Sequence, residues 1–585
     1  MGARTSQKTV LIMAVLLLGI HCATAVGRPI YVDANAPPGG DGSSWAAAYK
    51  YLQDAMADAN SEPDPNDIWV AQGVYTPDSN SAEPDGTGDR TAAFQLISGV
   101  GIYGGFHSGG GDWSNRDPNA YETILSGDLD GNDVAVNHPR DLATEPTRTE
   151  NSDHVVTGGG TDETAVLDGF TITGGNNNIV IDPEGDRIGG GGMYNYHGSP
   201  TVSNCTFRAN STLDRGGGMH NRDYSSPTVT DCTFQANAAY NGGGIQNNTY
   251  SDPAVVNCMF TENWAGAGGG MYNFFYCEPT IINCKFNGNS TGPYYGAAGI
   301  GNGGYSNPLL VNCIFTGNSA ADEGGAVDNT WSTCTLVNCT FTANSATEGG
   351  AIYNYHSGST LTNCILWGDT AALGNEIALE YDSTINISYS DVQGGWGGVG
   401  NSNQDPCFVD SDGGDNIVGT EDDDLRLRPD SPCIDAGDNT PVPADTTDLD
   451  NDGNTTERTP LDIDCGQRFA DDPNTPDSGV PDPPDYNDIV DMGAYEYRYY
   501  SNTCWDQSVC TGQPFGDATC DGNVNFLDLG ALKVAFFSLK GDAGYNCCAD
   551  FSHDGSIDFL DLGIIKVNFF TTGHSPSTGN QDCPP

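Results

Sequence analysis

Between residues 189 and 367 the hydrophobic and polar positions repeat with a period near 26 residues. Cys205, Cys232, Cys258, Cys284, Cys313, Cys339 and Cys364 lie 25 to 29 residues apart. Two residues after each of the first six comes a Phe: Phe207, Phe234, Phe260, Phe286, Phe315 and Phe341. Five residues after each comes an Asn: Asn210, Asn237, Asn263, Asn289, Asn318 and Asn344. A second series, Asn195, Asn221, Asn247, Asn273, Asn302, Asn329 and Asn354, closes a glycine-rich turn upstream of each cysteine. Within one period, runs such as residues 201–207 alternate as half-buried strands do. The period is too short for a four-stranded propeller blade and shows no helical spacing. It suits one coil of a solenoid, with three short strands and three turns. Stacked coils would pair strand on strand at roughly 4.8 Å. Cys, Phe, Val and Ile would fill the interior, the Asn columns would stack their amides, and paired glycines would turn the corners. A disordered glycine-rich segment has no reason to keep these columns in register.

The repeats resemble right-handed parallel β-helix proteins. Within these they resemble the polymorphic outer-membrane-protein repeats marked by GGAI and FxxN. The matching residues are Gly349-Gly350-Ala351-Ile352 and Phe341-Thr342-Ala343-Asn344. The resemblance implies an all-β fold, a right-handed three-stranded parallel β-helix. It implies no single activity, because that fold hosts adhesins, lyases, hydrolases and structural proteins alike.

The flanks complete the expected organisation. Residues 1–25 read as a secretory signal: Arg4 and Lys8, an apolar core over 10–20, then Ala23-Thr24-Ala25. Residues 26–106 read as an N-terminal cap and first coils, with a strand at Ile30-Tyr31-Val32 and a helix over 44–59 on Trp45, Tyr49, Leu52, Met56 and Ala59. Such a cap would cover the open edge of the first coil. Residues 107–160 read as a loop-rich insertion, in which 128–133 suits either a cation loop or an Asp-Gly turn. The repeats occupy 161–400, with one more coil at 385–392. Residues 401–500 read as acidic C-terminal coils and cap, ending in a segment, 491–497, that resembles a closing motif of such proteins. Cys407 and Cys433 there are candidates for a disulfide that the spacing does not assign. Asp448, Asp450 and Asp452 followed by Gly453 offer oxygens at alternate positions, as a Ca²⁺ loop does, although Thr459 stands where an acid is wanted.

Charge narrows the partners. Asp plus Glu number 78 against 21 Lys plus Arg, a net charge of -57. Such a chain repels nucleic acid and anionic lipid and attracts divalent cations. No apolar run after the signal is long enough to span a membrane. A secreted or cell-surface location follows from the signal. There the repeat cysteines are expected to stay small buried thiols, since neighbours in the column point the same way, which suits a disulfide badly.

Residues 501–585 hold a repeated loop. Asp517, Thr519, Asp521, Asn523, Asn525 and Asp528 recur as Asp550, Ser552, Asp554, Ser556, Asp558 and Asp561. Each loop offers oxygens at positions 1, 3, 5, 9 and 12, a carbonyl at 7 and Gly at 6, the ligand set of a Ca²⁺ loop. An apolar run follows each. The tandem, with Asp at position 12, resembles a dockerin, which implies Ca²⁺ and a cohesin-like partner or scaffold. Thr519 and Ser552 at position 3, and Phe-Leu at positions 10 and 11, depart from that family's pattern.

The enzymes of this fold that cleave acidic glycans need clustered acids facing an Arg or Lys. The coils from 189 to 367 carry only Arg208, Arg215, Arg222 and Lys285, and no Gly-His-Gly. Asp214, Arg215 and His220 lie close in sequence, as do Asp322, Glu323 and Asp328, but all fall in expected turns. The leading expectation is a non-catalytic protein for adhesion or contact with an extracellular polysaccharide. The alternative is a polysaccharide lyase or glycoside hydrolase. Tyr194, Tyr196, Tyr272, Phe274, Phe275, Tyr353 and Tyr355 could stack on sugars or on one another.

Overall fold

The computed structural model describes residues 29–498 except 62–66, 179–188, 294–295, 451, 483–485 and 487. Residues 29–469 and 475–497 belong to one compact unit; 470–474 and Arg498 belong to a second. The signal, and the candidate Ca²⁺ ligands in 517–528 and 550–561, lie outside the described residues.

The first unit is a parallel β-solenoid. Its coils contribute one strand each to a 12-stranded sheet A, an 11-stranded sheet B and a 10-stranded sheet C. One coil runs Met271–Phe274 in sheet C, Thr280–Ile282 in A and Lys285–Asn287 in B. A fourth strand, Ser290–Thr291, follows, so a short five-stranded sheet D forms where three strands per coil were expected. Every neighbouring pair in these sheets is parallel and keeps the sequence columns in register: Phe207 faces Phe234, and Asn195 faces Asn221.

The columns carry the core. The six phenylalanine rings stack at 4.6–5.0 Å with interplanar angles of 3–7°. Stacked aromatic pairs are worth about 0.5–1.5 kcal/mol beyond their burial. The first Asn column is fully satisfied. Asn263 Nδ2 donates to Phe234 O (2.7 Å) and Asn289 Oδ1 (2.9 Å), while its Oδ1 accepts from the backbone N and Nδ2 of Asn237. The corners explain further residues. Asn204, Asn257, Asn283, Asn312, Asn338 and Asn363, each just before a column cysteine, have φ between 50° and 57°. Asn tolerates this left-handed conformation better than most residues.

Three local expectations are corrected. The N-terminal helix is Leu52–Ser61, not 44–59. Backbone bonds between Tyr49 and Tyr31 and between Asp33 and Tyr49 hold that stretch beside the first strand, so the helix starts later. Leu52, Ala55, Met56 and Ala59 still pack onto the first coil. The stretch 107–160 also contributes two strands to the solenoid, Thr123–Ser126 in sheet B and Val156–Thr157 in sheet C. Cys407 and Cys433 are both free thiols; Cys433 Sγ lies 3.6 Å from Asp391 Oδ2.

After Asp391–Val392 the chain adds no coil among the described residues. It turns back as a strap along the flank of the solenoid. The corner asparagines hold it: Asn312 Nδ2 donates to Leu461 O, Asn338 Nδ2 to Asp491 O and Asn363 Nδ2 to Asp438 O. Gly317 and Gly419 let the two backbones meet; a Cβ on Gly317 would lie 2.1 Å from Gly419 O. The 491–497 segment lies within this strap. The buried Arg468 donates to the carbonyls of Gly493 and Ala494 and pairs with Glu496 at 3.7 Å. No helix of the described residues is long and apolar enough to cross a membrane.

Candidate functional site

The outer face of sheet C presents two side-chain columns. One runs Tyr194, His220, Gln246, Tyr272, Gly301, Asp328 and Tyr353. The other runs Tyr196, Arg222, Asn248, Phe274, Gly303, Thr330 and Tyr355. Beside them, at the corner after sheet C, stands an exposed aromatic ladder that the sequence reading missed. Tyr224, Tyr250, Tyr276 and Tyr305 stack at 5.2, 5.2 and 5.5 Å. Trp331, His356 and Tyr381 continue it at 4.1 and 4.7 Å. The signal was available, since an aromatic follows each ladder Asn by two or three residues.

The ladder breaks between Tyr305 and Trp331. Up to Tyr305 the corner uses two left-handed residues, as in Tyr250 with Thr249 and Tyr305 with Gly304. From Trp331 it uses one, because the turn is a residue shorter: Asn302 precedes Tyr305 by three, Asn329 precedes Trp331 by two. The shorter turn displaces the indole from the tyrosine column. In the coil before it Gly301 and Gly303 replace the side chains that Tyr272 and Phe274 supply below. The result is a notch of about 320 Å³ lined by Tyr272, Phe274, Gly303, Gly304, Tyr305, Thr330 and Trp331. A larger notch at the N-terminal cap, lined by Gln53, Asp54, Pro77 and Asp78 among others, has no aromatic wall.

Acids stand behind Thr330 of the aromatic notch, outside its lining. Asp328, buried beside Gly301, accepts from Thr330 Oγ1 at 3.3 Å. Burial, then the neighbouring Glu323, holds its carboxyl well above the usual range. Burial, then the charge of Asp322, pushes Glu323 up to about 7. The Tyr353 hydroxyl faces Glu323 and Glu380, and burial followed by these two carboxylates raises it. The fold therefore brings Glu323 and Asp328 together, which turn-by-turn reading did not.

Asp214 and Arg215 pair at 3.8 Å, and Arg215 acts on His220. His220 is fully buried with neither ring nitrogen hydrogen-bonded; burial and then Arg215 and Arg222 depress its basicity. Arg222 lies over the Tyr196 ring at 5.5 Å and pairs with Asp223, while Arg208 pairs with Glu122. Of the seven aromatics expected at turns, Phe275 is at the corner and the rest are on sheet C. Tyr353 is buried, whereas Tyr272 and Phe274 line the notch. Asp448, Asp450 and Asp452 do converge, with ligand oxygens within 4.8 Å of one another. In the 128–133 loop the Asp128 carboxylate accepts from the backbone of Asn132 and Asp133, capping its own turn.

Residues 161–295 and 197–366 match the family model described as "Right handed beta helix region". The solenoid of this chain is a right-handed parallel β-helix. Among solved structures, that of pectate lyase Pel9A is similar at 16% identity, covering 81% of this chain and 97% of the other, with a TM-score of 0.44. No curated protein matches the chain.

Proposed function

We propose that this β-helix is a secreted or cell-surface protein that contacts an extracellular polysaccharide without cleaving it. It is attached to a cohesin-like partner or scaffold through the dockerin-like loops of 517–528 and 550–561 with bound Ca²⁺. The observation that supports the glycan reading is the aromatic notch. Tyr305 and Trp331 stand on either side of a gap, over a glycine floor, with Tyr272 and Phe274 as a further wall. Aromatic faces suit the apolar face of a sugar ring. Only Trp331 and Tyr305 interrupt an otherwise continuous ladder, so a ring between them would restore it. The expected result is glycan binding by calorimetry that drops at least tenfold in Trp331→Ala and is retained in Tyr224→Ala, at the far end of the ladder. Equal binding by wild type and Trp331→Ala would rule out the notch.

The Glu323 and Asp328 carboxyls favour one second reading, glycan cleavage, because paired acids in unlike environments can act as acid and base. They lack a cationic partner: between Asp252 and Asp391 the sole Lys or Arg is Lys285, on sheet B. The expectation is no unsaturated or reducing-end product from pectin or alginate. Turnover abolished by Asp328→Asn would establish the enzyme instead.

A further inference from the structure

Resting on the glycan reading, we infer that the notch is specific for a cationic glycan, a polymer of amino sugars with free amines. Three observations point to it. The first is the charge around the notch. Thr330 of its lining donates to Asp328, Glu323 lies beside Asp328, and Glu380 stands two coils beyond Thr330 in the same column. Glu278 stands beyond its corner, reached by Asn307 two residues past Tyr305. Asp382, bonded to His356, flanks the indole side of the ladder. Arg222, two coils before Phe274 on this face, is paired with Asp223, and the whole chain carries -57. A uronate would meet net repulsion here, whereas an ammonium meets net attraction.

The second observation is the wall chemistry. Tyr272, Phe274, Tyr305 and Trp331 surround the gap. An ammonium within about 6 Å of such ring faces is attracted by their quadrupoles, Trp most strongly. Sugar C–H groups and a ring amine would therefore be served by the same side chains. The third is that Glu323 and Asp328 are crowded carboxyls short of a counter-charge. Burial first, then the acid beside each, raises both carboxyls. An amine held in the notch would place a cation on the Thr330 side of this pair.

The test uses the full-length protein with four hexasaccharides at pH 6.5: β-linked glucosamine, its N-acetylated counterpart, a neutral glucan and oligogalacturonate. The glucosamine hexamer should bind at least tenfold tighter than the other three. Its affinity should fall several-fold between 50 mM and 300 mM salt, and Glu380→Gln should weaken it while leaving the thermal midpoint within a degree or two. If the N-acetylated or neutral hexamer binds equally well, the charge specificity is overturned while the glycan reading stands. If oligogalacturonate binds best, the specificity is likewise wrong. If none of the four binds, the inference and the glycan reading fall together.

Discussion

A single amide decides whether a coil can stack. Asn263 uses both of its N–H groups and its oxygen within the column. Asn263→Asp keeps the acceptors, loses the donors and leaves Phe234 O without its side-chain partner. An orphaned buried group costs about 1–3 kcal/mol, and a buried charge adds to that. The variant should lose at least about 3 kcal/mol in urea unfolding, and less in acid, where the carboxyl is protonated and one donor returns. Where the column ends, the protein uses this same acid. Asn344 donates to Asp369 Oδ1, and Asp369 Oδ2 and both oxygens of Glu376 have no other donor. A single proton shared between Asp369 Oδ2 and one Glu376 oxygen would partner two of these three atoms. Burial, then the charge of Asp369, pushes Glu376 up to about 10; burial raises Asp369 to about 6. An acid whose pKa is higher in the native state binds more protons there than when unfolded. Stability therefore falls as pH rises from the unfolded value towards the native one, by at most about 1.4 kcal/mol per pH unit for one group. Between pH 5 and 8 the wild type should lose stability with rising pH. Glu376→Gln, which donates without titrating, should flatten that slope. An unchanged slope in thermal melts would show that the proton is not held there.

At the scale of elements, each strand is only two to six residues long and stable because its neighbours above and below repeat it. The cysteine column shows what this does to chemistry. Cys258, Cys284 and Cys313 are buried free thiols, each close to the carbonyl two residues back, at 3.2–3.3 Å. Burial pushes the Cys284 thiol well up, as it does those of Cys232, Cys339 and Cys364, whereas at Cys258 hydrogen bonds with Cys232 and Cys284 outweigh burial and lower it, so its inertness rests on exclusion of the reagent. A thiol reagent should leave these three unlabelled in the native protein and label all of them once denatured, with no disulfide among them by mass spectrometry. Two further buried thiols, Cys277 and Cys334, sit in other columns and should behave alike. Cys277 replaces a serine in the corner series Ser225, Ser251, Ser306, Ser332, and its backbone N donates to Ser306 Oγ as theirs do to the next serine.

At the scale of the molecule, the solenoid rests on buried columns and the flanking strap. On the proposed reading the loops of 517–528 and 550–561 would rest on metal, whose binding is folding energy for a small module. Chelation should leave the β signal of circular dichroism unchanged and loosen only the C-terminal region. Loop 517–528 offers three carboxylates, Asp517, Asp521 and Asp528, whereas loop 550–561 offers four, Asp550, Asp554, Asp558 and Asp561. Affinity follows ligand charge at equal rigidity. The second loop should fill first in calorimetry, and Asp554→Ala should unfold more of the module than Asp521→Ala. The reverse order would show that rigidity, not charge, sets the affinity.

The sequence by itself determined the coil, its length and its interior. Cys, Phe and Asn recur at one period, and a parallel stack is the arrangement that puts each on its own kind; the fold class needed no tertiary information. It also showed which groups are acidic, though not which of them meet. Glu323 and Asp328 are five residues apart, yet their approach depends on how the sheet D corner folds over sheet C. The strap could not be read either, because its contacts join residues more than a hundred apart, such as Asn312 with Leu461. The notch was hidden for a subtler reason. It arises from a one-residue change in turn length and two glycines, which in sequence are small irregularities in a repeat. Stacking converts them into a gap, because each ring in a ladder is placed by the coil beneath it.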